Sequence, residues 1–397
     1  VKIAPRHGFC PSDATRYRRS HAPPPLAHRR VRRVVRLRLG HPHRQRLVGD
    51  ERRDRMQLQE RGFYSLRRPE GEFSLPFRYA YKLDTFDRPL PDPVSRFQPD
   101  GVHQPSAYFI ADRFAWTDAG WRGQAMRDLA IYELHVGTFT PEGTFDAAAS
   151  RLAELVDLGI TAIELMPIAQ FPGERNWGYD GVHPFAVQNS YGGPEELQRF
   201  VDAAHAKGLG VLLDVVYNHL GPEGNYLSLF GPYFSKRHAT PWGDAVNFSG
   251  PHSDPVRRYF IDNARMWIRD FHIDGLRLDA VHAIHDESAI PLPAELRDEV
   301  HAEGAACGRA VVVIAESNQN DSRLVRERAC GGYDLDGVWS DDFHHALHSF
   351  LTGERQSYYV DFGTAGDVAK AWNDAFVHDG TYSPFRHCRH GTSAAGV

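Results

Sequence analysis

The stretch Leu209-Gly-Val-Leu-Leu-Asp-Val-Val-Tyr-Asn-His219 decides the fold class of this chain. It is a short apolar run that ends in polar residues, which is typical of a strand buried in a sheet. A helical pattern opened by Pro194 precedes it and ends at Gly208, and a second one begins at Asp254. A buried strand between two amphipathic helices indicates an α/β domain with a parallel sheet.

The same alternation extends in both directions from this unit. Six strands are predicted, at residues 131–136, 160–166, 209–215, 275–279, 310–315 and 335–339. Between the first two, Thr144 is expected to cap a single helix whose apolar face includes Leu152, Leu155 and Val156. An open doubly wound sheet and a (β/α)8 barrel both fit this order. Polar residues cluster after nearly every strand and no G-x-G-x-x-G turn follows the first, so residues 126–397 are predicted to form the barrel.

The residues before this region follow other patterns. Residues 56–125 contain two alternating runs, 63–66 and 77–83, which predict a small β-sandwich segment with a linker. Residues 1–55 hold 16 Lys and Arg against 4 Asp and Glu, whereas the remaining 342 residues hold 30 against 47. The stretches Pro23–Pro25 and Arg29–Arg38 have no stacking aromatic residues and no sustained period. We therefore expect this basic segment to be disordered or non-native rather than to bind nucleic acid.

Composition narrows the class of protein further. Hydrophobic residues make up 42% and charged residues 24%, as in ordinary globular proteins. The 4 cysteines are scattered, which excludes a disulfide scaffold or a cysteine-based zinc ribbon. No apolar run approaches the roughly 20 residues that cross a bilayer, and no signal-peptide pattern is present. We therefore expect a cytoplasmic protein that does not bind a membrane.

The strand ends carry the residues that could perform chemistry. Asp279 and Glu316 end adjacent predicted strands at equivalent heights, so in a barrel their carboxyl groups face one cleft. Two such carboxylates fit glycoside hydrolysis. Arg277 lies two residues before Asp279 and points to the same face, where its charge would keep Asp279 ionised. Partial burial would raise the pKa of Glu316 toward that of a general acid.

Each of these residues also has a simpler interpretation. A strand-end aspartate is often only a helix cap or a loop ligand, and a histidine such as His219 is more often a satisfied polar residue than a catalyst. The aromatic residues Trp177 and Tyr179, which could stack on sugar rings, could equally be packing residues. The conjunction of suitable residue types at successive strand ends favours the catalytic interpretation.

Three motifs identify a family resemblance. Asp214-Val-Val-Tyr-Asn-His219, Gly275-Leu-Arg-Leu-Asp279 and Ile314-Ala-Glu316 resemble, in order and spacing, the first three signatures of the α-amylase family of retaining glycoside hydrolases. Within that family the chain is most similar to the members that release trehalose. That similarity rests on the stretches at residues 132–145, 176–182, 219–226, 278–284 and 339–345.

The resemblance implies a role for individual residues. Asp279 would be the nucleophile and Glu316 the acid/base. Arg277, His219 and Tyr179 would line the subsite of the cleaved glucose, and Asp214 would shape the pocket. Sugar hydroxyls near the trehalose end would be bound by a further set: His282, Asp341, Asp342, Phe343, His344 and His345.

The implied reaction is hydrolysis of the α-1,4 bond next to the terminal trehalose of malto-oligosyltrehalose. Malto-oligosyltrehalose synthase would then be the neighbour in the pathway. The alternatives are a 1,4-α-glucan branching or debranching enzyme, which would use the same two carboxylates, and a non-catalytic remnant that still binds glucan.

A third carboxylate that the family carries after strand seven is not found. The pairs His285-Asp286 and His378-Asp379 do not follow a predicted strand. We therefore expect a barrel truncated after about six strands, with low stability and little activity, in which extension of the chain would restore both.

No metal or organic cofactor is expected. The 22 histidines are scattered, and neither H-E-x-x-H nor Cys-x-x-Cys occurs. A calcium ion held by loop oxygens leaves no spacing pattern, so the sequence does not test for one.

Overall fold

The computed structural model describes residues 34–38, 45–49, 53–58, 63–67 and 77–397. Its amino-terminal part contains two antiparallel sheets, in the orders β1-β5-β4 and β3-β2-β6-β7. Met56, Tyr64 and Tyr81 belong to one buried cluster to which both sheets contribute, so the sheets pack as a small sandwich. The strands are β1 (Val34–Arg38), β2 (Gln45–Gly49), β3 (Arg53–Arg55), β4 (Gln57–Leu58), β5 (Phe63–Arg67), β6 (Arg78–Leu83) and β7 (Ser106–Ala107).

Strands β1, β2 and β3 lie within residues 1–55, the segment that the sequence predicts to be disordered or non-native. β1 pairs with β5, and β2 pairs with β6 from Gln45↔Leu83 to Gly49↔Tyr79. The boundary predicted at residue 55 therefore cuts through both sheets. Sequence reasoning did not find β1 and β2, whose partners β5 and β6 lie 25 or more residues further along the chain, where local pattern gives no sign of them. The interpretation of residues 1–33 lies outside the described residues.

The larger part is built on a six-stranded parallel sheet in the order β17-β16-β15-β12-β9-β8. All six predicted strands are confirmed, with bounds shifted by at most two residues. In chain order this part contains β8 (Ile131–Leu134), β9 (Ala162–Leu165), a hairpin of β10 (Ala169–Gln170) and β11 (His183–Val187), β12 (Gly210–Val215), a hairpin of β13 (Phe234–Thr240) and β14 (Gly243–Val246), β15 (Gly275–Leu278), β16 (Val312–Ser317), β17 (Gly337–Ser340), β18 (Thr381–Ser383) and β19 (Cys388–His390).

Helices connect these strands and cover the outside of the sheet. Thr144 caps the first turn of α2 through a bond from Ala147 N, as predicted. The single helix expected after Thr144 is instead broken into α2 and α3, and Val156 is 40% exposed. The helices are α1 (Val136–Phe139), α2 (Phe145–Ala149), α3 (Leu152–Asp157), α4 (Gly193–Ala206), α5 (Leu227–Phe230), α6 (Asp254–Asp270), α7 (Leu292–Ala306), α8 (Asp341–Thr352) and α9 (Ala365–Asp374).

Among the described residues, no helix is both long enough and apolar enough to span a bilayer.

The two faces of the parallel sheet have different compositions. One face packs on the helices and belongs to the main core, to which Leu165, Leu213, Leu276 and Val313 contribute. Near the amino ends of the strands, the other face forms a small apolar cluster that includes Leu212 and Ile314. Because side chains alternate along a strand, polar residues two positions further on share this inner face. They are Glu164, Asp214, Arg277 and Glu316, and they form the candidate site.

Candidate active site

Arg277 joins three carboxylates on the inner face of the sheet. Its Nη1 donates to Asp214 Oδ2 and to Asp279 Oδ1, both at 2.8 Å, and its Nη2 lies 3.8 Å from Glu316 Oε2. Burial alone would lower the pKa of Arg277, but these carboxylates outweigh it and hold the pKa above its usual value. Arg277 is therefore a fixed cation that brings the side chains of strands β12, β15 and β16 together.

Asp279 is held in one orientation by donors on both of its oxygens. Arg277 binds Oδ1, and Asn218 Nδ2 donates to Oδ2 at 2.7 Å and to the main-chain oxygen of Asp279 at 2.9 Å. Asn218 was absent from the predicted site residues, although its place directly before His219 in the strand-end motif was the signal that could have identified it.

A main-chain hydrogen bond links Glu316 to the residue that follows Asp279. The amide of Ala280, the residue after Asp279, donates to Glu316 Oε2 at 2.8 Å. Ala280 has φ 41°, in the left-handed region that non-glycine residues rarely adopt. Burial raises the pKa of Glu316, and the charge of Arg277 opposes this. The site thus places a carboxyl group bound by donors on both of its oxygens next to one that burial holds toward its protonated form.

Asp214 anchors two other predicted site residues. Tyr179 donates its hydroxyl to Asp214 Oδ2 at 2.9 Å, the same oxygen that Arg277 binds. Burial raises the pKa of Asp214 to about 7, and Arg277 opposes this. His219 donates from Nδ1 to Asn218 Oδ1, and its ring stacks on Trp242 with centroids 5.3 Å apart. Burial lowers the pKa of His219, so its neutral form is favoured.

The loop that carries Tyr179 has a conformation that only glycine permits at one position. Gly178 has φ 102°, and a Cβ there would lie 2.1 Å from the main-chain oxygen of Pro167. The side chain of Asn176 closes the loop by accepting from Gly178 N at 2.7 Å and donating to Asp180 Oδ2 at 2.7 Å. Trp177, between them, is 74% exposed. Its ring is therefore free to meet a ligand.

Comparison with known proteins matches this arrangement to a family. Residues 108–232 match the family model described as alpha amylase, catalytic domain. The chain is 49% identical to malto-oligosyltrehalose trehalohydrolase of Saccharolobus solfataricus over 87% of this chain and 62% of the relative. It is 55% identical to the trehalohydrolase of Rhizobium sp. strain M-11 over 79% of this chain and 52% of the relative. A crystal structure described as a putative alpha amylase from Salmonella typhimurium superposes with a TM-score of 0.84 at 38% identity, covering 91% of this chain and 62% of that chain.

The resemblance to the α-amylase family is confirmed. The chain spans between about half and three-fifths of the length of the two curated relatives. Both relatives are malto-oligosyltrehalose trehalohydrolases, the members of the family that the sequence motifs indicated.

The residues predicted to bind sugar hydroxyls do not act as one group. Burial raises the pKa of Asp341, while the charges of His282 and Arg277 oppose this, so Asp341 lies within electrostatic reach of the catalytic pair. His282 has a buried Nδ1 with no hydrogen-bond partner among the described residues. These two side chains remain available to a ligand. Asp342 does not, because its Oδ2 accepts from Asn320 Nδ2 and from the main-chain amides of residues 377 and 378 at 2.8–2.9 Å.

The side chains of the next three residues of α8 also have different surroundings. The ring of Phe343 lies 5.7 Å from that of Trp372 on α9. His344 is exposed, and the ring of His345 lies 4.4 Å from that of Tyr358, where burial lowers the pKa of His345 to about 4. Successive residues of a helix point about 100° apart. The five consecutive residues therefore do not share one face, and Asp341 is the one among them whose pKa the charge of Arg277 affects. Their binding of sugar hydroxyls stays a prediction.

Neither of the two His-Asp pairs supplies a further carboxylate to Arg277. Asp286 Oδ2 accepts from Arg257 Nη1 at 2.6 Å, and Asp379 Oδ2 accepts from Lys370 Nζ at 2.7 Å. Among the described residues, the ion-pair partners of Arg277 are Asp214, Asp279 and Glu316. The sequence-based rejection of both pairs agrees with these contacts.

Proposed function

We propose that the chain carries the nucleophile and the acid/base of a trehalose-releasing α-glucan hydrolase. Its substrate would be malto-oligosyltrehalose, cleaved at the α-1,4 bond next to the terminal trehalose with retention of configuration. The observation that carries the proposal is the cluster in which Arg277 contacts Asp279 and approaches Glu316. The trehalohydrolase relatives, at 49–55% identity, support this substrate over the branching or debranching alternative.

Asp279 is proposed as the nucleophile. Attack on the anomeric carbon needs an ionised carboxylate, and Arg277 and Asn218 bind that form of Asp279. Glu316 is proposed to protonate the leaving glucosidic oxygen. A retaining mechanism places the two carboxyl groups about 5–5.5 Å apart, with no water between nucleophile and sugar.

The second half of the reaction follows from the charge of Asp279. Burial is the main cause that raises the pKa of Glu316, and the charge of Asp279 adds to it. Once Asp279 forms an ester with the sugar, its negative charge is gone, whereas Arg277 still favours the ionised form of Glu316. The pKa of Glu316 therefore falls, and its carboxylate removes a proton from the water that hydrolyses the ester. One residue thus serves as acid and then as base.

The remaining predicted residues are proposed as substrate contacts or supports. Tyr179 and His219 would line the subsite of the cleaved glucose, with Asp214 holding Tyr179 from below. His282 and Asp341 would bind hydroxyl groups on the trehalose side. The substrate carries a terminal trehalose, so we also infer a pathway neighbour that forms it, malto-oligosyltrehalose synthase.

The test is an assay with two substrates of equal length. A version of the chain extended to the full length of its relatives is incubated with malto-oligosyltrehalose or with plain maltodextrin, and products are followed by chromatography and by NMR of the new reducing end. We expect free trehalose and an α-anomer from the first substrate only. Asp279→Asn and Glu316→Gln should each reduce the rate by several orders of magnitude, whereas Asp157→Asn, on the exposed end of α3, should not change it.

Three outcomes would count against the proposal. Branched product without trehalose would favour the transferase alternative. Equal cleavage of both substrates would remove the trehalose specificity. Binding of malto-oligosyltrehalose without any turnover would favour a non-catalytic glucan-binding protein.

A further inference from the structure

Glu164 is a buried carboxyl group that the proposed mechanism does not use. It lies on β9, is 1% exposed, and pairs in register with Leu212 of β12 and Glu133 of β8. Asp214 lies two residues beyond Leu212 and therefore points to the same inner face as Glu164. Sequence reasoning took this strand as simply apolar and did not single out Glu164.

Two buried oxygen atoms in this region have no hydrogen-bond partner among the described residues: Glu164 Oε2 and Asp214 Oδ1. The other oxygen of Asp214 accepts from Tyr179 and Arg277, and the Glu164 carboxyl also accepts a bond from Trp339 on β17. An ionised carboxyl group can only accept, so two ionised groups would leave both oxygens unsatisfied. A buried unsatisfied polar atom is costly.

We propose that Glu164 carries a proton on Oε2 and donates it in a hydrogen bond to Asp214 Oδ1. One proton then satisfies both orphan atoms. Glu164 acts as a positioning residue, because the bond holds the Asp214 carboxylate with its other oxygen toward Arg277 and Tyr179. Its effect on catalysis rests on the proposed function, whereas the proton and the bond do not.

The charges that face Glu164 favour this arrangement. Arg277 on β15 already faces three carboxyl groups, so a fourth negative charge nearby would lack a counterion. Burial raises the pKa of Glu164 to about 8; Asp214 and Glu133 add to the rise, while Arg277 and the Trp339 bond oppose it. The proton belongs on Glu164 rather than on Asp214 because Arg277 binds Asp214 directly at 2.8 Å.

The first experiment detects the proton on Glu164 by NMR and needs no measurement of activity. The full chain is labelled with ¹³C at the side-chain carboxyl carbon of glutamate, and the Glu164 resonance is assigned by its loss in Glu164→Gln. We expect this resonance at the position of a neutral carboxyl group at pH 7, moving to the carboxylate position near pH 8. Asp214 is not labelled, so the signal belongs to Glu164 alone. Glu133→Gln, which removes the exposed glutamate on the adjacent strand, should leave the titration in place.

The second experiment tests the positioning role of Glu164 through the pH dependence of trehalose release. Glu164→Gln keeps an acceptor for Trp339 and a donor for Asp214, so trehalose release at pH 7 should stay within about twofold of the parent. We expect release by the parent to decline above pH 8, where Glu164 loses its proton, and this decline should be absent in Glu164→Gln. Glu164→Leu, which has no donor, should be slower at every pH. A carboxylate-type Glu164 resonance at pH 7 would overturn the proposal whatever the activity. A neutral resonance in a chain that releases no trehalose would sustain the proton and the bond, and would count against the proposed function instead.

Discussion

The imidazole of His205 lies between two buried carboxylates at the amino ends of the strands, away from the catalytic cluster. Its Nδ1 is 2.8 Å from Asp118 Oδ2 and its Nε2 is 2.8 Å from Asp274 Oδ2. The His205 side chain is fully buried, and those of both aspartates are nearly so. Asp274 precedes β15, whereas Asp118 lies in the segment before β8. The imidazole therefore ties that segment to the base of the sheet, and its replacement by leucine should destabilise the fold.

The size of the loss follows from the bonds that remain. Removing one member of a buried charged group costs about 3–5 kcal/mol. After His205→Leu, Asp118 still accepts from His272 at 2.7 Å, and Asp274 still accepts from Trp121 Nε1 at 2.7 Å and from a main-chain amide at 2.8 Å. These remaining hydrogen bonds stabilise part of the negative charge that loses its histidine partner. We therefore expect the free energy of unfolding to fall by about 3 kcal/mol, at the lower end of that range.

The assay is urea denaturation of the full chain, followed by tryptophan fluorescence. Arg258→Gln is the control, because the Arg258–Asp262 pair is about half exposed on both sides and such pairs contribute about 0–1 kcal/mol. If the free energies of unfolding of His205→Leu and of the control differ by less than about 1 kcal/mol, the buried pairs do not stabilise the base of the sheet as argued.

The pH dependence gives a second check. Burial would raise the pKa of Asp118, but hydrogen bonds from His272 and His205 outweigh it and lower the pKa. A carboxyl group with a lowered pKa in the folded state stabilises the fold above its unfolded value of about 3.9, and this contribution is lost as the pH falls through the folded value. The difference between the parent and His205→Leu should accordingly be full at pH 5 and shrink below about pH 3.9.

Two further predictions concern the carboxy-terminal part and the chemistry. Asp342→Ala removes the acceptor of three hydrogen bonds to Asn320 and to residues 377 and 378, and should cost about 1.5–3 kcal/mol. Limited proteolysis should then cut near the β18–β19 hairpin first, and unchanged resistance there would show that Asp342 does not anchor it. Trehalose release should be the same with and without EDTA, since the proposed mechanism uses only carboxyl groups; activity that EDTA abolished and calcium restored would contradict this.

The strands and the catalytic pair were predictable because their evidence is local. An apolar run marks each strand of the parallel sheet wherever it lies in the chain, and successive strands of the sheet are neighbours in the observed order. Arg277 and Asp279 are two residues apart, so strand geometry alone put them on one face. That Asp279 and Glu316 approach each other followed from adjacent parallel strands, and the shared contacts with Arg277 and Ala280 agree with it.

The features that the sequence did not predict share one property, which is that the evidence for them is not local. Strands β1 and β2 have weak patterns, and their partners β5 and β6 are separated from them by other segments. The run Asp341–His345 was treated as a unit, although only packing against α9 and the loop at residues 377–378 shows which side each residue faces.

The sequence by itself determined the α/β class, the strand order and the identity of the two catalytic candidates, because hydrophobic period and strand-end position depend on neighbouring residues only. The tertiary structure alone decided how those candidates are charged. The pKa of Glu316 depends on how deeply it is buried and on the charge of Arg277, and the role of Glu164 depends on an unpaired oxygen of Asp214 on the next strand. Burial and distance set these energies, and neither exists until strands far apart in the chain lie side by side.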